Sequence, residues 1–244
     1  MKRKQEFRRL QSTRTEQSYD DGEKKTWKEL FKKFAVEKDV EPGRIGIIGA
    51  TPLEFGGIYE EDFLKKYFAE KSFSKVVCYG MGDGLDAVRE AAAAEKNIVV
   101  SPAGIAAAKY LQQKFGTPYE LFCPPEIIPE WKEKKEQIAG LLNVEELSEK
   151  KILIVHQQVL ANTLREEFIS ANINVASWFM MNKEQKKEQD ILFKEEDDWI
   201  TYIKENEYDI IIADPLLKKA VPFYKGEWYD LPHFAISGKK RQSV

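Results

Sequence analysis

Thiols and imidazoles are scarce in this chain: its 244 residues include two cysteines, Cys78 and Cys123, and two histidines, His156 and His233. Two widely spaced cysteines make no disulfide framework, so a reducing, cytoplasmic setting is expected. Zinc-finger spacing is absent. A metal cluster ligated from within the chain is short of ligands from the outset. No apolar run approaches the ~18 residues of a membrane span, and the charged N-terminus lacks the apolar core of a secretory signal. There is no Walker lysine motif and no nucleophile elbow with its triad partners. Neither sign of charge dominates, since 38 Lys+Arg against 41 Asp+Glu leave a net charge of −3. Between Lys2 and Arg14 the basic N-terminal stretch carries one aromatic, Phe7, too little interleaving to suggest a nucleic-acid partner, and no membrane partner is expected either.

What is present is core material: hydrophobic residues are 43% of the chain and aromatics 12%. Residues 1–43 read as a basic arm followed by an amphipathic helix, in which Trp27, Leu30, Phe31 and Phe34 fall at i, i+3, i+4, i+7. That stripe either covers its own domain or joins a second chain, and association with a second copy or a homologous subunit is expected. From Arg44 short apolar runs alternate with helical-period segments. Strands are predicted at 44–49, 75–79, 97–100 and 119–123, with an alanine-rich helix at 85–95 and a further helix at 104–115. A connecting helix is predicted over 126–149. Further strands follow at 151–155, 173–179, 209–213 and 228–236, with a polar loop at 182–194. Alternation of this kind predicts an α/β fold with parallel sheets. The reading is two Rossmann-like parallel-sheet domains with flanking helices, at 44–125 and 150–238, and a tail at 239–244.

In such sheets ligands bind beyond the carboxyl ends of the strands. Thr51, Gly82, Ser101, Gly104, Cys123, His156, Asp214 and His233 fall at or near those ends. The two sheets are therefore expected to present their ends to one shared groove, with Ser101 and His156 lining it and His233 partly accessible. Gly80, Gly82 and Gly84 follow a strand and precede a helix, but their spacing fails the dinucleotide fingerprint. Ser101-Pro102-Ala103-Gly104 opens a helix, where backbone amides suit an anion and where serine followed by proline is equally an ordinary helix start. His156 and His233 read either as groove-facing imidazoles or as hydrogen-bonded structural residues. Cys78 is expected to be a buried small hydrophobe; Cys123, before Pro124-Pro125, is the better placed thiol for a metal.

Five stretches in order resemble the nitrogenase component 1 superfamily: RIGIIGATPL at 44–53, NIVVSPAGIAAAKYLQQKFGTPY at 97–119, KILIVH at 151–156, YDIIIADPLL at 208–217 and LPHFAISG at 231–238. KFGTPY and LPHFAISG are the most specific pieces. The resemblance implies Rossmann-like domains and pairing with a homologous component 1 subunit or a second copy. It also implies electron transfer from an ATP-dependent iron–sulfur reductase, and an iron–sulfur or other metal cofactor. The family's N-terminal cluster cysteines have no counterpart in residues 1–43. Val100-Ser101 stands where the family's catalytic subunit carries a cofactor cysteine, and His233 lies close to the place of its cofactor histidine. The resemblance leaves the cofactor unknown. It puts His233 and His156 in catalytic roles and Thr51, Gly82, Ser101, Gly104 and Asp214 around a bound group, with Cys123 as a metal ligand. Two functions follow: a nitrogenase-like oxidoreductase subunit, or a non-catalytic two-lobed binding protein or scaffold for a metal complex, tetrapyrrole or metabolite.

Overall fold

The structure is a computed structural model that describes residues 19–55, 60–128, 131, 149–168, 172–178 and 180–238. The arm through residue 18, most of the helix expected at 126–149 and the 239–244 tail lie outside the described residues.

The first sheet has four parallel strands, β1 (Glu41–Ile48), β2 (Lys75–Cys78), β3 (Ala94–Val99) and β4 (Tyr119–Leu121), in the order β2-β1-β3-β4. The second has five, β5 (Lys151–Val155), β6 (Asn172–Ser177), β7 (Ile191–Leu192), β8 (Ile210–Ala213) and β9 (Glu227–Asp230), in the order β7-β6-β5-β8-β9, again all parallel. Central strands such as β8, Ile-Ile-Ile-Ala, are buried at every position, because helices cover both faces of a parallel sheet. The helices are α1 (Tyr19–Phe34), α2 (Pro52–Phe55), α3 (Glu60–Ala69), α4 (Leu85–Arg89), α5 (Ile105–Phe115), α6 (Gln158–Glu167), α7 (Glu196–Glu205), α8 (Pro215–Ala220) and α9 (Phe234–Ser237).

Three elements differ from the sequence reading. The alanine run does not extend α4: the helix ends at Arg89, Ala91–Ala93 form a 3-10 turn, and Ala94 already pairs with Glu41 in β1. All four alanines are buried, so close packing against β1 overrides their helical propensity. The polar loop contains β7, a two-residue edge strand on β6. Asp190 fixes its approach, accepting from the amides of Val175 (3.0 Å) and Lys187 (2.8 Å) and from Arg165 (2.6 Å) in a buried ion pair. The closing strand stops at Asp230, and α9 follows Pro232, which has no N–H to continue a ladder.

The stripe of α1 is spent within the chain. Trp27 and Phe31 are buried, Leu30 and Phe34 pack beside them, and the Phe31 ring meets Tyr79 edge-on at 5.1 Å. The centre of the stripe, Trp27 and Phe31, is therefore used within the chain, with Leu30 and Phe34 half-buried at its sides. Another core runs through both sheets, from Ile47 and Ile98 to Ile154 and Ile212, with Trp131 within it. That shared core brings the carboxyl ends of the two sheets together.

Candidate functional site

The sheets meet where β3 and β5 end. Gln157, wholly buried, donates from Nε2 to the carbonyl of Val100 (2.8 Å) and accepts the Val159 amide on Oε1 (2.8 Å), capping α6. One side chain thus stitches the two strand ends. The sequence places Gln157 at a strand end, between a histidine and a helix start, but gives it no role of its own. On the other side, Ser101 is buried and its Oγ donates to the Gly49 carbonyl (2.6 Å). Gly104 packs so close to β1 that a Cβ there would lie 2.9 Å from the Ile48 carbonyl oxygen. Residues 101–104 are all buried, so Ser101 and Gly104 close the β1–β3 end of the junction by packing.

His156 and His233 face each other at this junction, ring centroids 4.5 Å apart and planes inclined at 53°. Nε2 of His156 lies 3.4 Å from the Pro232 carbonyl oxygen. A carbonyl only accepts, so this nitrogen carries the proton and Nδ1 is left as an acceptor. That Nδ1 is buried with no hydrogen-bond partner. The His233 amide donates to Asp214 Oδ2 (2.8 Å), while Asp214 Oδ1 takes the Leu216 amide (2.8 Å) and caps α8. Nδ1 of His233 accepts the Ala235 amide (3.2 Å) and caps α9, which puts the proton of the neutral ring on Nε2. Nε2 lies 3.5 Å from Glu54 Oε2, a carboxylate carried by α2 of the first sheet. Thr51, half-buried, starts that helix, and its carbonyl accepts the amides of Glu54 and Phe55.

The site is closed. His156 is 3% exposed, His233 1% and Asp214 0%. The partly accessible His233 expected from sequence is corrected here: Pro232 ends the strand, and the ring turns inward to cap α9 instead of reaching an open groove. Burial, and then the neighbouring His233, push His156 well below the usual imidazole range, with the Pro232 carbonyl opposing in part. His156 is therefore neutral near pH 7. Chemically the arrangement is a carboxylate, an imidazole presenting its Nε2 side to that carboxylate and a second imidazole with a bare Nδ1 acceptor, drawn from both sheets.

Two of the predicted residues stand elsewhere. Gly82 is exposed in the turn after β2, at φ +76°, with the Glu61 carboxylate lying over its Cα. The turn is held by Asp83, which accepts the Cys78 amide (2.7 Å) and pairs with Lys65 (2.9 Å). Cys123 is fully buried in the shared core, and its amide donates to Thr163 Oγ1 (3.3 Å). Burial holds its thiol well above the ordinary value, with the charges of Glu54 and Glu126 adding to the effect. Cys78 is equally buried, its thiol pushed up to about 12.

A four-iron cluster takes about four thiolates or substitutes. The chain has two cysteines, both sealed in apolar core as thiols. Among the described residues no group of three or more His, Cys, Asp or Glu is placed to hold a metal ion. The residues do not fit a thiolate-held cluster. No helix among the described residues is long and apolar enough to cross a membrane.

Comparison with known proteins places this fold. Among solved structures, "Nitrogenase Cp1 at pH 6.5" is similar with a TM-score of 0.57 at 11% identity, covering 88% of this chain and 58% of that one. "Nitrogenase Cp1 at pH 5" gives 0.52 at 12% identity, with 88% and 57% covered. This chain thus spans less than two thirds of the length of those solved relatives. No curated protein sequence matches it. A family model described as Nitrogenase component 1 type Oxidoreductase matches residues 4–178, well over half of the chain. By that match, over a fold of two joined parallel sheets, the chain belongs to the nitrogenase component 1 type oxidoreductase family.

Proposed function

We propose that this chain is a subunit of a nitrogenase-like oxidoreductase that receives electrons from an ATP-dependent iron–sulfur reductase. Its own part is proton handling by His156, His233 and Glu54, and a partner subunit holds the redox metal group. A homologous component 1 subunit or a second copy is the expected partner, and the cytoplasm the expected setting. The observation that carries this reading is the buried imidazole pair with its carboxylate, standing at the strand ends where this family's fold brings its two sheets together. Reductions take up protons with electrons, and the Glu54 carboxylate, the His233 Nε2–H and the bare Nδ1 acceptor of His156 are groups between which a proton can pass. Thr51, Ser101, Gly104 and Asp214 support this site: Asp214 positions the His233 backbone, and Ser101 and Gly104 close the β1–β3 end. The test is anaerobic mixing with the cognate reductase and ATP, followed by the rate of reductase oxidation. Faster oxidation, lost in His233→Asn with binding retained, supports the reading. The absence of both complex formation and faster oxidation refutes it.

A second reading is a non-catalytic two-lobed binding protein or scaffold for a metal complex, tetrapyrrole or metabolite. It is favoured by the absence of thiolate ligands at the junction, both cysteines of the chain being buried thiols. Titration with a tetrapyrrole or metal complex distinguishes the two. Saturable binding without any response to the reductase supports the second reading.

A further inference from the structure

The opposite edge of the second sheet carries a feature unconnected with the histidine pair. The amino ends of β5 and β6, the approach to β7 and the end of α7 surround an open groove of about 650 Å³, a volume usual for small-molecule sites. Lys151, Lys187, Asn172, Asn206 and Tyr202 line it, and Glu188 is the one carboxylate among its described lining residues. Its walls are fixed from behind. Asp190, paired with buried Arg165, holds the Lys187 amide at 2.8 Å, and Asp209 holds the Lys151 amide at 2.8 Å.

Hydrogen-bond accounting gives the groove a donor. Asn174 Nδ2 donates to the Tyr208 hydroxyl (2.7 Å), which in turn hydrogen-bonds the Tyr202 hydroxyl. Tyr208 is buried and Tyr202 half-exposed. If Tyr202 donated to Tyr208, the Tyr208 proton would be buried without an acceptor, which is unfavourable. The favoured direction is therefore from Tyr208 to Tyr202. Donation in that direction accords with the raised Tyr208 pKa, to which burial contributes most and the Tyr202 bond next. The Tyr202 proton is then left to point into the groove. Asn206 Nδ2 is tied to the Tyr202 carbonyl (3.0 Å), which leaves its Oδ1 as an acceptor. The Lys151 ammonium sits over the Tyr208 ring, 4.7 Å from its centroid.

We propose that this groove is a second binding site, for a small phosphorylated sugar. Lys151 and Lys187 take the phosphate, as point charges suited to it. Asn172, Asn206 and the Tyr202 hydroxyl exchange hydrogen bonds with the sugar hydroxyls. Lys151 and Lys187 are the two cations among the groove's described lining residues, with Glu188 as its lining carboxylate and Asp209 engaged behind by the Lys151 amide; the cations suit an anionic group, and the carboxamides suit a polyol body over an apolar one. The site lies at the amino ends of β5 and β6 and does not depend on the oxidoreductase reading.

Calorimetric titration of the full chain with ribose 5-phosphate, ribose and inorganic phosphate tests it. Saturable binding of ribose 5-phosphate is expected at about 10 µM to 1 mM. It should be at least about tenfold tighter than binding of either fragment. Lys187→Gln, at an exposed position, should weaken it about tenfold, and Tyr202→Phe about three- to tenfold, the latter keeping the ring in place. Circular dichroism and melting of each variant report folding separately. The absence of saturable binding up to ~10 mM overturns the proposal. So does inorganic phosphate bound as tightly as the sugar phosphate, which marks a bare anion patch. So does affinity unchanged in both folded variants.

Discussion

His156 stays neutral because its ring is sealed among other side chains beside a second imidazole, and this has a consequence for stability. Its folded pKa lies below the unfolded value of about 6.5. The unfolded chain therefore binds this proton more readily, and stability is full above pH ~6.5 and lost as pH falls toward the folded value. Urea denaturation between pH 5 and 8 should show this acid limb in the parent and a flatter one in His156→Gln. An unchanged limb in the variant assigns the loss to other groups. His233 has two separable roles, since Nδ1 caps α9 and Nε2 faces Glu54. His233→Ala should cost about 1–2 kcal/mol through the lost cap. His233→Asn supplies another capping acceptor and should recover much of that loss without restoring the Nε2–H. If asparagine is no better than alanine in denaturation midpoint, the cap is not what His233 contributes to stability.

At the scale of elements, Gly104 was named from sequence as a ligand-binding glycine, and its geometry is that of close packing. A Cβ there would press on the Ile48 backbone, so Gly104→Ala should destabilise by about 1–3 kcal/mol. A neutral result in thermal melting would mean that β1 and the Ser101 turn separate easily. Trp27→Ala should cost about 3 kcal/mol or more and loosen α1, readable as faster amide exchange along that helix. Most elements were legible because a parallel sheet needs apolar runs separated by helical periods, and β1, β5 and β8 have them. The alanine run was not legible, since alanine's helical preference is local and its burial against β1 is not. β7 escaped because two residues carry no period; its cause is the Asp190–Arg165 pair, which spans 25 positions of sequence. The site was half legible. Strand-end logic found His156, His233 and Asp214, but it carries no information on depth and gave an open groove where the junction is sealed. It also could not name Glu54, which reaches His233 only through the docking of one sheet on the other.

For the molecule as a whole, two parallel sheets share one core and join at their carboxyl ends through Gln157, the imidazole pair and Glu54. Gln157→Ala removes the stitch to Val100 and leaves that buried carbonyl without this donor. A loss of about 1–3 kcal/mol is expected, with increased amide exchange around residues 156–163 and 100–104. Family membership brings the expectation of a metal group, while the chain's two cysteines are sealed thiols in apolar core. This chain has the component 1 fold with an imidazole–carboxylate junction, and its two buried thiols do not fit an iron–sulfur cluster of its own. Anaerobic purification followed by iron and acid-labile sulfide analysis tests it most directly. Colourless protein is expected, with iron and sulfide far below one per chain, before and after reconstitution. Brown protein with about four iron and four sulfide per chain, lost in Cys123→Ser, would contradict it.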